Sequence, residues 1–534
     1  MSELENPKLF SAYKVVMQNQ PHLPDSLHAY LIESTAPENI DDKPNDNTND
    51  NNTYKDKLIP INVDADGGVI DEIVDTLIRS KNPTLVISVH GFNSPRDVIL
   101  PGFWDSFTRV HNDKYINNRD IVCIGYRWPS EPIFSPRHTI FDASPKFLTI
   151  LFVVGCISLL LLSTVLIAAW YEHFRGAIGH EATIFIGIAD PLVGIFVTLI
   201  FLAIPVTLFL LRVTVYFRDG YRASSFGIPD LVEIIRQIDK KLEERQNRSW
   251  LSWMGTRPNR VQLSLIGHSM GGYVVTSVIR ILSDVFDPAS VREGLNSTQL
   301  PGGVPDPKAL SRVGHAFYLK CLVLVAPDIP AEALISNRAN FLSNSLVRFE
   351  EVFLFSNEGD EVLRQISTTA NYFSFPTKSN VFGYRLGNVC LLGLPYGINV
   401  EKFDKSYLKI GKMTLSELYK RIEITSGQLR EDLAKRFSYF DCTDCVEDGK
   451  GVLTLAKRGH KMGTFDHFFL FLLYIYNPIK HNVHGGYFRS HFLSTLIYRL
   501  VCMGYKNTTE AYAAEGYALD KQCQDHQVRV LLKS

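Results

Sequence analysis

Short apolar runs alternate with amphipathic segments along most of this chain. Residues 84–90 form a continuous apolar run between Pro83 and Gly91, which is typical of a buried strand in a parallel sheet. Just before it, residues 69–79 place apolar side chains at helical spacing. The two segments together predict a helix followed by a central strand.

The same pattern recurs through the chain. Further strands are predicted at 11–17, 28–34, 121–126, 261–266, 319–325, 352–355 and 437–443, with the segment at 437–443 taken as the final strand. Further helices are predicted at 103–111, 228–242, 271–286 and 492–501. Alternating strands and helices predict an α/β fold with a mostly parallel central sheet flanked by helices.

Two long uncharged runs interrupt this alternation. Residues 147–170 and 191–211 contain 24 and 21 residues without a charge, and a helix of either length covers a hydrocarbon core of about 30 Å. The connection at 171–190 has one Arg, whereas the outer flanks have six basic residues: Arg127, Arg137, Lys146, Arg212, Arg218 and Arg222. Basic residues favour the cytoplasmic side, so we expect a transmembrane hairpin with both flanks in the cytoplasm.

Composition excludes several classes of protein. The net charge of −1 argues against nucleic-acid binding through phosphate neutralisation, and a hydrophobic content of 46% excludes a mostly disordered chain. Eight cysteines are too few for a disulfide scaffold. Cys442 and Cys445 form a single C-x-x-C, a weak zinc or redox signal, and free thiols are the favoured interpretation. We expect no metal and no cofactor.

The motif that indicates chemistry is Gly267-His268-Ser269-Met270-Gly271. This G-x-S-x-G follows a predicted strand and precedes a predicted helix, the context in which it forms a nucleophile elbow. A sharp turn there holds the serine hydroxyl exposed, and the helix N-terminus favours developing negative charge. Ser269 is therefore the candidate nucleophile.

An oxyanion hole is expected beside this elbow. One N–H of such a hole comes from the residue after the nucleophile, here Met270, and another comes from the loop after an earlier strand. Residues 89–93 (VHGFN) end the predicted strand at 84–90. Phe92 is the best candidate for the second donor.

A serine nucleophile needs a base and an orienting acid, in the chain order Ser, acid, His. Asp360 follows the predicted strand at 352–355 in a Gly-containing turn, and we assign it as the acid, with Asp328 as the alternative. Glu358 and Glu361 are expected to be solvated at the surface. His484 precedes two glycines and the predicted final helix, so we assign it as the base. His481 is the alternative base.

These residues resemble the α/β-hydrolase superfamily, and within it the serine esterase and lipase branch. A closer likeness is to a little-characterised bacterial hydrolase family with an ordered set of short motifs. The matching segments are 90–93, 128–130, 216–219, 268–271, 326–328, 359–360 and 385–387. The likeness spans about residues 84–390 and departs at the inserted hairpin and in the stretch before His484. It implies hydrolysis of an ester-like bond and names no substrate.

The resemblance and the insert together suggest a domain layout. N-terminal strands and a polar Asn/Asp-rich linker occupy 1–60, the first half of the α/β-hydrolase fold 61–146, and the hairpin 147–211. The second half with the elbow occupies 212–400, and a helical insert, last strand, His loop and final helix occupy 401–534. Residues 465–476 form a strongly apolar run that is too short to span a membrane. A buried core helix is favoured for it, with an acyl pocket or an interfacial position as alternatives.

The function predicted from these features is a membrane-anchored serine hydrolase acting on a lipid or another acyl ester. Its partners are a lipid bilayer and a lipid or small ester substrate, and its expected location is the inner membrane of a bacterium, with the catalytic domain on the cytoplasmic side. Acyl transfer by the same triad and a non-catalytic membrane scaffold are the alternatives. The sequence does not indicate an oligomeric state.

Overall fold

A computed structural model defines the fold. It describes residues 9–16, 27–36, 57–61, 68–117, 119–130, 150, 157, 164, 209–247, 260–285, 311–330, 341–370, 385–391, 409–410, 413–414, 436–448, 450–451, 462–476 and 483–532. Most of the hairpin expected at 147–211, most of the polar linker, and His481 lie outside these residues. Within the described ranges no helix is both long and apolar enough to cross a membrane.

One large sheet organises the described residues. Its strands are β1 (Phe10–Val15), β2 (His28–Ser34), β3 (Leu58–Ile61), β4 (Thr84–Val89), β5 (Ile121–Arg127), β6 (Val261–His268), β7 (Arg312–Val313), β8 (Phe317–Val325), β9 (Glu351–Ser356), β10 (Phe437–Asp441) and β11 (Arg529–Leu531). They lie in the order β11-β10-β9-β8-β6-β4-β5-β2-β1-β3, with β7 beside β8. The seven strands from β10 to β2 are parallel. The predicted α/β fold with a mostly parallel sheet is therefore confirmed.

Helices connect these strands and cover both faces of the sheet. They are α1 (Val69–Arg79), α2 (Arg96–Asn112), α3 (Lys114–Asn117), α4 (Ile228–Asn247), α5 (Met270–Val285), α6 (Phe341–Leu346), α7 (Thr464–Tyr476), α8 (His491–Ala514) and α9 (Leu519–Asp525). Residues 209–222 are also helical and lead through a π-helical turn, Ala223–Gly227, into α4. Two small hairpins pair Lys409–Ile410 with Met413–Thr414 and Val446–Glu447 with Lys450–Gly451.

The central strands are mostly apolar because both of their faces are buried. Along β4, Leu85 and Ile87 pack into one core with α1, α4 and α5, whereas Val86 packs into a second core with α2 and α8. Successive side chains of a strand point to opposite faces, so a strand between two helical layers favours apolar residues at every position. This explains why β4 is apolar at most positions and why apolar residues predominate in β6.

The chain order of the strands reverses direction between β4 and β6. These two strands are neighbours, but β4 connects onward to β5 on one side, whereas β6 connects onward to β8 on the other. In such sheets the loops at the carboxyl ends of the two strands diverge and leave a crevice in which ligands bind. The loop at 90–95 and the elbow at Ser269 both lie at this position.

The expectation that residues 437–443 form the final strand is wrong. Strand β10 ends at Asp441, and β11 pairs with it antiparallel at the edge of the sheet. Arg529 of β11 forms an ion pair with Asp441 at 2.9 Å. A three-residue strand carries too little apolar pattern to be recognised in the sequence, and this ion pair helps to hold it in place.

Candidate active site

Ser269 lies in a strained turn between β6 and α5. Its φ is +55°, a left-handed conformation that non-glycine residues seldom adopt. Its backbone N–H donates to the Val325 carbonyl at 3.0 Å, and its own carbonyl accepts from the N–H groups of Gly272 and Asp328 at 2.9 and 3.0 Å. These bonds hold the residue in a conformation that costs about 1–3 kcal/mol on its own.

Two glycines allow the loop after β4 to lie directly against this turn. A Cβ atom at Gly271 would lie 2.4 Å from the Val89 carbonyl oxygen and 2.6 Å from that of His90. A Cβ atom at Gly91 would lie 2.6 Å from the Cβ of Ser269. Backbone from both segments therefore reaches the serine with no side chain between them.

Asp360 and His484 form a buried hydrogen-bonded pair. The Asp360 Oδ2 atom lies 2.5 Å from His484 Nδ1, and both side chains are buried. Asp360 Oδ1 accepts from the N–H groups of Val362 and Leu363 at 3.1 and 3.3 Å. The carboxylate is thereby fixed in position and directed at the imidazole.

His484 also lies close to the elbow. The imidazole of His268, the residue before Ser269, has its Nε2 atom 3.0 Å from the His484 carbonyl oxygen, and the two rings have centroids 4.8 Å apart. Because a carbonyl only accepts hydrogen bonds, His268 Nε2 carries the proton. The predicted base therefore pairs with the predicted acid and contacts the residue next to the predicted nucleophile.

Two polar atoms of this group are buried without a partner in the described part of the chain: Ser269 Oγ and His484 Nε2. Buried polar groups almost always have a hydrogen-bond partner, and each exception calls for a reason. The Nδ1 atom of His484 is occupied by Asp360, so only Nε2 remains to act on a ligand. Ser269 Oγ and His484 Nε2 are not hydrogen-bonded to each other, so each remains available to a ligand.

Met270 and Phe92, the predicted oxyanion donors, follow directly on Ser269 and on Gly91, two residues that lie against each other. Met270 is the first residue of α5, and the N–H groups of a first helical turn have no intrahelical acceptor. The Gly91 carbonyl lies 2.7 Å from His90 Nδ1. Because C=O and N–H point in opposite directions across a trans peptide, the Phe92 N–H faces away from His90.

His90 and Trp128 hold this peptide in place, a role that the sequence analysis did not identify. The Trp128 backbone N–H donates to His90 Nε2 at 3.2 Å and its indole N–H to the His90 carbonyl at 3.1 Å. The two rings stack with centroids 5.0 Å apart. Since Nε2 accepts, Nδ1 carries the proton and donates to Gly91. Burial, and secondarily the charge of Arg127, lower the pKa of His90 to about 3.

Asp219 fixes the other end of the same loop. Its Oδ2 atom accepts from the Asn93 N–H at 2.8 Å and from Ser130 Oγ at 2.7 Å. Arg218 Nε donates to Oδ1 at 3.0 Å. The short motifs at 128–130 and 216–219 were visible in the sequence, but only the fold shows that they meet at the loop at 90–95.

The alternative acid, Asp328, has a different set of partners. Its Oδ1 atom lies 3.1 Å from Arg385 Nε, and its Oδ2 atom accepts from Ser367 Oγ at 3.0 Å. The expectation that Glu358 and Glu361 are solvated is wrong, because both are buried. Glu361 instead pairs with His467, whose Nδ1 atom lies 2.7 Å away, and a bonded partner lets a carboxylate stay in the interior.

Cys442 and Cys445 are buried free thiols, and burial raises the pKa of both. No cluster of three or more metal-ligating side chains with suitable placement occurs among the residues that the structure describes.

No protein-family model, curated protein or solved structure shows a significant match to this chain. The site therefore has to be interpreted from its own geometry.

The buried neutral His90 makes stability depend on pH. Its folded pKa of about 3 lies below the ordinary value of 6.5, so the unfolded chain binds the proton more readily between these values. Stability is full above about pH 6.5 and falls as the pH drops toward 3. We expect His90 alone to lower the free energy of unfolding by about 2 kcal/mol between pH 7 and pH 5.

Urea denaturation at the two pH values measures this difference. The variant His90→Gln should show a pH dependence smaller by that amount. His315→Gln is the matched control, because the His315 side chain is 60% exposed, and it should behave as the unmodified protein does. An unchanged pH dependence in His90→Gln would contradict the assignment of a neutral buried His90.

Proposed function

We propose that this protein is a membrane-anchored serine hydrolase that cleaves carboxylic ester bonds through Ser269, His484 and Asp360. The observation that carries the proposal is the histidine: its Nδ1 atom is bonded to a buried carboxylate, and its Nε2 atom is buried and unpartnered. The Ser269 hydroxyl is equally unpartnered, and His268, the residue before it, contacts His484. An orienting acid, a base and a nucleophile in this relation are the parts that acyl transfer requires.

In the proposed reaction, Ser269 Oγ attacks the carbonyl carbon of the ester while His484 Nε2 takes the hydroxyl proton. The carbonyl oxygen becomes an oxyanion, for which the N–H groups of Phe92 and Met270 are the donors. The C–O bond to the alcohol then breaks, and the alcohol leaves with the proton from His484. An acyl group remains on Ser269.

Water completes the cycle by the same route. His484 Nε2 removes a proton from water, which attacks the acyl carbon, and the bond to Ser269 Oγ breaks as the proton returns to the serine. Asp360 stabilises the imidazolium in both halves through its 2.5 Å contact with Nδ1. Apart from the ester and water, the proposed steps use only groups of the chain.

The order of the parts along the sheet supports an α/β-hydrolase fold. The nucleophile follows a central strand, the acid follows a later strand, and the histidine comes last, the chain order of that fold. The second oxyanion donor lies after the neighbouring strand β4, also as in that fold. The short sequence motifs and the order of the strands in the sheet are different properties of the chain, and both support this fold.

The proposed substrate is a lipid or another long-chain acyl ester. The uncharged runs at 147–170 and 191–211 are each long enough to span a bilayer as helices, and their outer flanks are basic. The proposal therefore places the catalytic domain on the cytoplasmic side of a bacterial inner membrane, where ester-containing lipids are at hand.

The first test concerns the nucleophile. A fluorophosphonate probe should label the protein at Ser269, and Ser269→Ala should abolish both labelling and hydrolysis of a short p-nitrophenyl ester. Loss of the nucleophile should lower kcat/KM by roughly 10³-fold or more. Ser277→Ala, on the same helix, is the control and should keep both. Activity of Ser269→Ala at the level of the unmodified enzyme would rule out a serine hydrolase.

The second test separates the assigned acid and base from their alternatives. His484→Ala should be nearly as damaging as Ser269→Ala, because the groups act as a unit, whereas the loss in Asp360→Asn should be smaller by about one to two orders of magnitude. The matched variants His481→Ala and Asp328→Asn should retain measurable turnover of the same ester. If one of these two variants is inactive instead, the assignment of the acid or the base is wrong, but catalysis by a serine is not contradicted.

The third test concerns topology. A single cysteine placed in the connection at 171–190 should react with a membrane-impermeant maleimide in intact cells, whereas one near Arg236 should react only after lysis. The reverse pattern would invert the orientation. Complete release of the protein by carbonate washing would refute the membrane anchor.

A further inference from the structure

Helix α7 is apolar on every side, yet only one side of it is buried. Ten of its 13 residues are aliphatic or aromatic. The buried positions, His467, Leu470 and Tyr474, recur at the spacing of one helical face. The expectation that this run is a buried core helix is therefore wrong for its outer half.

The outer half presents three phenylalanines to the exterior. Phe465, Phe468 and Phe469 are 89%, 60% and 56% exposed. With about 100° between successive helical residues, they form one stripe on the side opposite the buried residues. We call this stripe the aromatic face. Contiguous large apolar side chains of this kind on a protein surface mark a contact with another apolar surface.

The inner side of α7 is bonded to the candidate site. His467 Nδ1 lies 2.7 Å from the Glu361 carboxylate, and Glu361 directly follows Asp360. Both His467 and Glu361 are buried. The aromatic face is therefore held at a fixed distance from the turn that carries the triad acid.

The flank of α7 touches the end of the second uncharged run. Phe209 packs edge-on against Phe471 with ring centroids 5.9 Å apart. Arg212, the first charged residue after the run at 191–211, lies 5.0 Å from the ring centre of Tyr474. The point where the uncharged run ends and charge begins is thus beside α7.

We propose that the aromatic face of α7 inserts into the surface of a phospholipid bilayer next to the active site. In the proposed function the run at 191–211 spans the bilayer, so its charged end lies near the membrane surface, and the contacts with Phe209 and Arg212 place α7 at that level. At about 20 Å, the helix is shorter than the hydrocarbon core of about 30 Å. It therefore lies along the interface and does not cross it.

This surface explains how a lipid ester would reach the site, a consequence that rests on the proposed function. A lipid at the aromatic face would lie one helix diameter, roughly 10 Å, from the turn that holds Asp360. Bilayer contact itself rests on the exposed phenylalanines and on the membrane span proposed for 191–211, and it does not require catalysis. It is therefore testable independently of any hydrolysis.

The test measures lipid contact at one position. Phe468→Cys in a Cys156→Ser background is labelled under native conditions with an environment-sensitive fluorophore; the other seven cysteines are buried. The full-length protein is combined with phosphatidylethanolamine and phosphatidylglycerol vesicles containing doxyl-labelled acyl chains. Because an inserted side chain meets the acyl chains, the label should lose about half of its emission.

Tyr517→Cys is the matched control. Tyr517 is 54% exposed and follows α8, which packs on the opposite face of the sheet, so its label should keep its emission. Absence of quenching at 468 overturns the proposal in either of two ways. Access of iodide to that label would show that the face lies in water, and exclusion of iodide would show that protein covers it.

A second measurement separates this proposal from the proposed function. The variant Phe465→Ser/Phe468→Ser/Phe469→Ser should hydrolyse a soluble p-nitrophenyl ester at the unmodified rate and a vesicle-embedded ester about tenfold more slowly, because three apolar anchors are lost. Equal rates on the embedded ester would contradict the delivery role. Quenching at 468 in a protein that hydrolyses neither ester would refute the hydrolase and leave the bilayer contact standing.

Discussion

The candidate site depends on a steric constraint between two stretches of backbone. The carbonyl oxygens of Val89 and His90 occupy the space in which any side chain at position 271 would lie. Only glycine at 271 therefore lets the start of α5 approach the end of β4. This approach places Ser269 in its left-handed conformation within reach of the loop at 90–95. A methyl group at this one position would force the elbow and the loop at 90–95 apart.

Buried charge around the site is arranged in dedicated pairs. Four carboxylates of the group have a cationic or imidazole partner within hydrogen-bond distance: Asp360 with His484, Glu361 with His467, Asp328 with Arg385, and Asp219 with Arg218. A buried carboxylate left alone would be strongly destabilising. Each pair therefore holds its loops in position, because moving one partner would leave the other buried without a hydrogen-bond partner. Polar groups that are already held in position can stabilise the charge that develops during a reaction.

Sequence patterns predicted the helices and strands whose positions depend only on the local spacing of apolar residues. Helix α1 has the predicted bounds, and β4 and β6 differ from the prediction by one or two residues, because burial on both faces favours apolar residues along these strands. Asp360 and His484 were predicted from chain order together with their positions, the acid in a Gly-containing turn after a strand and the histidine before the final helix. The burial of Glu361 was not, because its partner His467 lies 106 residues away and no local signal links them. The roles of His90 and His268 were missed for the same reason: their partners are set by tertiary contacts.

The separation of Ser269 from His484 has a consequence for synthesis of the protein. The histidine follows the serine by 215 residues, so at ordinary rates of translation it is made roughly 10 to 40 seconds later. During that interval β6 and α5 can already pack on β4, while His484 is still missing. A nascent chain on the ribosome therefore carries the elbow without the means to activate it. Under the proposed mechanism, the enzyme begins to act on membrane lipids only once nearly all of the described sheet has been made.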